Sequence, residues 1–463
     1  MSHSEDYLKK ILSDCVESCD TNTSFQALII VKDYVRKNGS NVKTLLELNY
    51  FRRLYSILSR PYMTPQLTYT VLHIMCNLSA ADDFLRHCSP YTREFVGKLV
   101  QLIPLAIESE TTKYTFAVAE CSCWILSNIL KESQAYIDEM HLSAVVFRIE
   151  TFYDFLKAQS TDQSKCLETL VDLIGCLTFK PKPSHVHVNK YFLVILCDLL
   201  KSSYNEKVLH RVCVALYNLL NQLPLDDYKH CIPDLVEWLR SQKHIGHPRI
   251  AQGCAVLLRA ISNIPDGFTT GLIDNEILDL TCCLIRPDPS YKPLQLDLLV
   301  SLSNFCTTLH TERIDRLLAQ ECFDILFERT SRRSYLVDQP NVQHLEHLRL
   351  CATLILNARD DQVEELVARG MMNSIFTVLC FCQNKDFALE FVAATSKNDC
   401  PVKFTDDQMK TLETLVGNYT NDRLTQEAIS VMEKRTTILP AIEKLSLHDE
   451  SVEDVMSIQH MRL

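Results

Sequence analysis

The chain has 463 residues, 47% of them apolar and 23% charged, the balance of a folded soluble protein, and its nine glycines are too few for a turn-rich β protein, which favours a mostly helical chain. Its net charge of −11 argues against a general nucleic-acid binder, which needs a basic face, and suits basic partners or simple solubility. No stretch approaches 18 uncharged apolar residues and the opening MSHSEDYLKK has no apolar signal core, so neither a membrane span nor a secretory leader is expected.

Twenty cysteines scatter singly along apolar helical faces, as at Cys213, Cys254, Cys306 and Cys351, and no CxxC pair occurs. That pattern suits reduced cysteines used as small core residues in the cytosol or nucleus. The nearest approach to a redox or metal spacing is Cys121 with Cys123, and Cys380 with Cys382, which lack a second half.

In chain order, a short extension (1–23) leads into the first amphipathic helical run at SFQALIIVKDYVRKN. A recurring signature follows, an apolar helical run ending in a small residue, Asn and another apolar residue. It reads HIMCNLSA (Asn77), WILSNIL (Asn128), YNLLNQLP (Asn221), RAISNIPDG (Asn263), VSLSNFC (Asn304) and TLILNARD (Asn357), with Cys176 of DLIGCLTF at the equivalent place. Successive separations are 51, 48, 45, 42, 41 and 53 residues, the range of armadillo or HEAT repeats. Between these marks lie further helices such as YFLVILCDLLKSS, IPDLVEWLRS, EILDLTCCLIRPD and SIFTVLCFCQN, apolar at i, i+3, i+4 and i+7. Polar clusters such as SRPYMTP, KSSYNE and RPDPSYKP mark the turns. No such unit buries its apolar face alone, so neighbours must stack into a solenoid. The tail 436–463 lacks the pattern.

Trp124 and Asn128 are four residues apart and share a helix face. An Asn amide carries two donors and an acceptor, enough to hold the N–H and C=O of one peptide unit. A row of them would clamp an extended chain, with an indole face holding the aliphatic stem of Lys or Arg. The same amides could instead cap turns or bond neighbouring backbone inside the stack, and both readings stand at this point. Trp238, on a different helix, reads as core.

WxxxN on the last helix of successive repeats resembles the nuclear import adaptors of the importin-α family. The resemblance runs over roughly 24–435, from SFQALIIVKDYVRKN to FTDDQMKTLETLVGNYTNDRLTQEAISVMEK, and includes RAISN, where Arg259 stands at a tryptophan position. It implies an all-α armadillo-repeat right-handed superhelical solenoid of about ten repeats, without enzymatic activity. It also implies a concave groove for an extended, basic peptide, and exchange between cytoplasm and nucleus with nuclear transport receptors as partners. By this carry-over Trp124 is an aromatic wall, Asn128 a backbone clamp and Glu132 a lysine acceptor. Asn77, Asn221, Asn263, Asn304 and Asn357 are further clamps, Tyr217 stands beside Asn221, and Arg259 would pair with an acidic ligand group.

The chain departs from the family in two respects. The aromatic partners of Asn77, Cys176, Asn304 and Asn357 are replaced by His73, Asp172, Val300 and Thr353, leaving Trp124/Asn128 as the one intact pair. Each lost aromatic platform would remove about 0.5–2 kcal/mol of lysine-stem binding. Only about 23 residues precede the first repeat, and they are not basic, so no importin-β-binding segment is expected. The resulting expectation is an import adaptor with altered cargo choice; the alternative is a scaffold that kept the fold, left transport and assembles a specific protein complex. HVH (His185, His187) and HLEH (His344, His347) lack further ligands at a metal-binding spacing, and no phosphate loop, nucleophile elbow or acid/base pair occurs. No metal, cofactor, nucleic acid or membrane is expected as a partner.

Overall fold

The computed structural model describes Thr21 to Cys382 with internal breaks, together with Lys10, Ile11 and a few residues between Val402 and Thr411. Most of the extension 1–23, most of the last repeat and the tail 436–463 lie outside the described residues. Every regular element among those described is an α-helix, and the chain divides into two compact units between Tyr228 and Lys229.

The first unit contains α1 (Thr21–Lys37), α2 (Gly39–Glu47), α3 (Tyr50–Leu58), α4 (Pro65–Ser79), α5 (Phe84–Cys88) and α6 (Thr92–Leu102). It continues with α7 (Lys113–Glu132), α8 (Glu139–Ala158), α9 (Ser164–Phe179), α10 (Val186–Ser202), α11 (Glu206–Leu220) and α12 (Leu225–Tyr228). Here α1, α4, α7, α9 and α11 pack each against the next, and α6, α8, α10 and α12 form a second row against them.

The second unit contains α13 (Ile232–Ser241), α14 (Pro248–Ser262), α15 (Asn275–Leu284), α16 (Leu294–Thr308) and α17 (Thr311–Leu318). After these come α18 (Cys322–Thr330), α19 (Asn341–Asn357), α20 (Asp360–Ala368) and α21 (Met371–Cys382). Its rows are α14–α16–α19–α21 and α13–α15–α17–α20. In both units the helices carrying the recurrent Asn or its Cys176 equivalent make up one row. This is the all-α, armadillo-like stacking that the sequence periodicity requires.

Local chemistry sets the helix boundaries. Thr64 accepts the Leu67 N–H at 3.2 Å just ahead of Pro65 at the first position of α4, where a missing N–H costs nothing. His247 and Pro248 open α14 in the same manner, with the His247 imidazole accepting the Arg249 N–H. Asn205 and Asp274 each accept two backbone N–H groups at the starts of α11 and α15. Gly370 turns the chain from α20 into α21 at φ +97°, a left-handed conformation that side chains resist.

The interior is apolar and aromatic. Phe51 meets Phe84 and Phe95 edge-on with ring centres 5.5 and 5.0 Å apart. Described cysteines are free thiols, most of them buried, so they fill the core as small apolar groups. Among the described residues no helix is long and apolar enough to cross a membrane.

Candidate functional site

Among the described residues of the first unit, the Asn-bearing row presents one large apolar side chain to solvent. Trp124 is 39% exposed, whereas Ile125, Leu126, Ile129 and Leu130 beside it on α7 are buried. Trp238, by contrast, is buried on α13.

Asn128 lies one turn on from Trp124. Its Nδ2 donates to Ser79 Oγ of α4 at 2.9 Å, and that hydroxyl donates to the Cys76 carbonyl, also at 2.9 Å. The amide thus ties two successive repeats. Ser79→Ala should remove the acceptor and destabilise the first unit by about 0.5–1.5 kcal/mol, read as a lower urea midpoint.

Glu132 sits exposed at the end of α7. Desolvation pushes its carboxyl above the usual range, the Leu85 backbone N–H acts in the opposite sense, and the Asp82 and Asp83 charges add to the rise. Three carboxyl groups thus gather at this edge of the row, where an incoming cation would relieve their mutual repulsion.

The other Asn residues are not equivalent. Asn77 and Asn357 fold back onto their own helices, donating to the carbonyls of His73 and Thr353 at 2.8 and 3.0 Å. Asn221 and Asn263 fall one residue past α11 and α14, at the C-cap, where both are exposed. Asn304 is engaged on both sides. It donates to Ser262 Oγ at 3.1 Å and Asn263 Oδ1 at 2.8 Å, and accepts from Arg349 at 2.9 Å. The expected uniform row of backbone clamps therefore divides: Asn77 and Asn357 bond their own helices, Asn128, Asn263 and Asn304 tie successive repeats, and Asn221 stands exposed at a helix end. Neighbouring helices end at different points of the row, so the same residue type meets different partners.

The positions that lack the aromatic wall have been filled with charge or buried. His73 is half-buried, and desolvation together with Lys32, Arg36 and Lys165 pushes its imidazole down to about 4, so it is neutral at pH 7. Tyr69 stands 5.6 Å from that ring, with Lys32 Nζ 4.9 Å over the tyrosine. Lys165 pairs with Glu120 at 2.8 Å. Asp172 pairs with Arg211, which also reaches Glu168 at 3.0 Å. Tyr217 is half-buried on α11, while Val300 and Thr353 are buried.

In the second unit Arg259, expected to face an acidic ligand, pairs instead with Asp297 of α16 at 3.1 Å. Only 2% of the Asp297 side chain and 17% of the Arg259 side chain are exposed. Glu346 and Arg349 of α19 extend the cluster at 3.5 Å, and burial raises the Glu346 carboxyl against the pull of Arg349 and Arg259. Sequence reasoning missed Glu120, Lys165, Arg211, Asp297, Glu346 and Arg349. Their signal was a charged residue in an otherwise apolar run, about two turns or more ahead of the Asn mark.

Among the described residues no group of three His, Cys, Asp or Glu side chains is placed to hold a metal ion. His344 and His347 are both buried within the second unit.

No protein-family model matches the chain, and no curated protein does. Solved structures do. A crystallised engineered protein superposes with a TM-score of 0.63 at 15% identity, covering 98% of this chain and 99% of its own. Two designed armadillo repeat proteins, one of them in complex with the peptide (KR)4, each align with 55% of this chain at 12% identity and a TM-score of 0.41. The superposition at 0.63 over nearly the whole chain, together with the stacked rows of helices, gives this chain a helical-repeat fold.

Proposed function

We propose that this chain is a binding scaffold that receives an extended segment of a protein partner on the Asn-bearing row of its first unit. The observation that carries this reading is Trp124, an indole held 39% exposed on a helix whose flanking residues are buried. The carboxyl cluster of Glu132, Asp82 and Asp83 stands two turns on. An indole face for an aliphatic stem and a carboxylate for its charged end suit Lys or Arg. Titrating the chain with a lysine-rich import peptide, followed by fluorescence anisotropy of the labelled peptide, tests it. Trp124→Ala is expected to weaken binding by about 3- to 30-fold. Equal affinity for wild type and variant would overturn the reading.

The narrower proposal is that of an importin-α-like import adaptor, moving between cytoplasm and nucleus and engaging nuclear transport receptors. The resemblance of WILSN and its repeats supports it. A second reading is favoured by the charges around the lost aromatic positions. Lys32, Arg36 and Lys165 around His73 repel a lysine, and Asp172 is already taken by Arg211. Those features suit a scaffold selecting one partner of mixed charge. A pull-down for importin-β and for the importin-α export receptor separates the two readings, since the scaffold recovers neither.

A further inference from the structure

Two thiols meet in the second unit, on helices that do not carry the Asn mark. Cys282, near the end of α15, donates its S–H to the Sγ of Cys322, the first residue of α18, at 3.1 Å. Forty residues separate them in sequence, so the contact joins two successive repeats. Both are buried, at 7% and 2% exposure, and Cys322 also reaches the Leu317 carbonyl at 3.8 Å. A disulfide needs the sulfurs at about 2.05 Å, an approach of about 1 Å from the 3.1 Å contact.

We propose that Cys282 and Cys322 form a redox modification site that a peroxide-class oxidant converts to a disulfide bracing α15 to α18. One thiolate attacks the peroxide oxygen, gives a sulfenic acid and releases water once the leaving hydroxide takes a proton. The second sulfur then attacks the sulfenic sulfur, forming the S–S bond and expelling a second water. Two thiols and one H2O2 give one disulfide and two waters; each sulfur loses one electron, and the peroxide gains two.

The hydrogen bond to Cys322, and then burial, push the Cys282 thiol far above its usual range, so little thiolate is available and the reaction is slow. The exposed thiols of Cys283 and Cys380 should oxidise first. Once formed, the bond closes a loop of about 40 residues, which restricts the unfolded chain and resists separation of the two repeats.

The test uses the intact chain. It is exposed to graded hydrogen peroxide, free thiols are blocked with an alkylating agent, and unreduced digests are mapped by mass spectrometry. The expected result is a single linked peptide joining Cys282 to Cys322, appearing after Cys283 and Cys380 are oxidised and disappearing on reduction. The thermal midpoint of the second unit should rise by about 5–10 °C on linkage. Cys282→Ser should abolish both the link and the rise. Absence of the linked peptide once the exposed thiols are fully oxidised, or links scattered among other cysteines, would overturn the proposal. Because the map is read on the wild-type chain, it decides the matter even where a variant folds poorly.

Discussion

Asp297→Ala is expected to destabilise the second unit by about 3–5 kcal/mol, the range for removing one partner of a buried ion pair. The carboxylate is almost wholly buried and pairs with Arg259 at 3.1 Å, so truncation leaves a largely buried guanidinium short of its countercharge. Glu346, which also feels Arg259, offsets part of the loss. Replacing both partners by apolar residues of similar size, Arg259→Met with Asp297→Leu, should recover most of the stability, since the desolvation cost goes with the charges. Guanidinium unfolding followed by Trp238, on α13 of the same unit, checks this in a Trp124→Phe background. A loss below about 1 kcal/mol in the single variant would mean that water already reaches the pair.

Acid should weaken the same unit well above the carboxylate range. Burial, and to a smaller extent the charge of His344, push the His347 imidazole down to about 3, and burial lowers His344 too. His347 Nε2 lies 2.6 Å from Ser374 Oγ, itself bonded to Thr330, with Cys351 Sγ at 3.6 Å. The Phe327 ring stands edge-on at 6.3 Å. Among the described residues, no carboxylate is recorded against this ring to compensate a second ring proton. The unfolded chain takes up a proton below about pH 6.5, whereas the folded chain does so only near 3. The stabilising contribution of His347 is therefore complete above about pH 6.5 and is lost as pH falls from there toward 3, by about 1.4 kcal/mol per unit. His344 adds to the slope in the same direction. His347→Gln should lower stability at pH 7.5 and flatten the dependence between pH 6.5 and 5, as measured by chemical denaturation at a series of pH values. An unchanged slope would show that the ring already has a route to water.

Much of the architecture was legible in the sequence because it rests on period and spacing. Apolar residues at helical intervals and the Asn mark every 41 to 53 residues assign Asn77, Asn128, Asn304 and Asn357 to helices that stack in rows. The polar cluster SRPYMTP marked a turn, and its Thr64 and the following Pro65 open α4 there. The partner of each amide was not. Asn128 meets Ser79, yet Asn77 turns to its own helix, and that choice depends on where neighbouring helices end. Asp172 could be recognised as a departure from the aromatic pattern, but its engagement by Arg211 arises only when α9 and α11 stack. Arg259 stood at an expected ligand position, and only the fold brings Asp297 to it.

The amide–hydroxyl ties also bear on how such a stack comes apart. Each repeat touches its neighbours alone, so unfolding follows a chain of nearest-neighbour couplings rather than one global event. Asn128–Ser79 and Asn304–Ser262 are individual links in two such chains. Severing one would shorten the stretch that melts together, so that end repeats open while the rest of the unit holds. Amide exchange along α4, next to the Asn128 tie, would register that opening long before the whole unit unfolds.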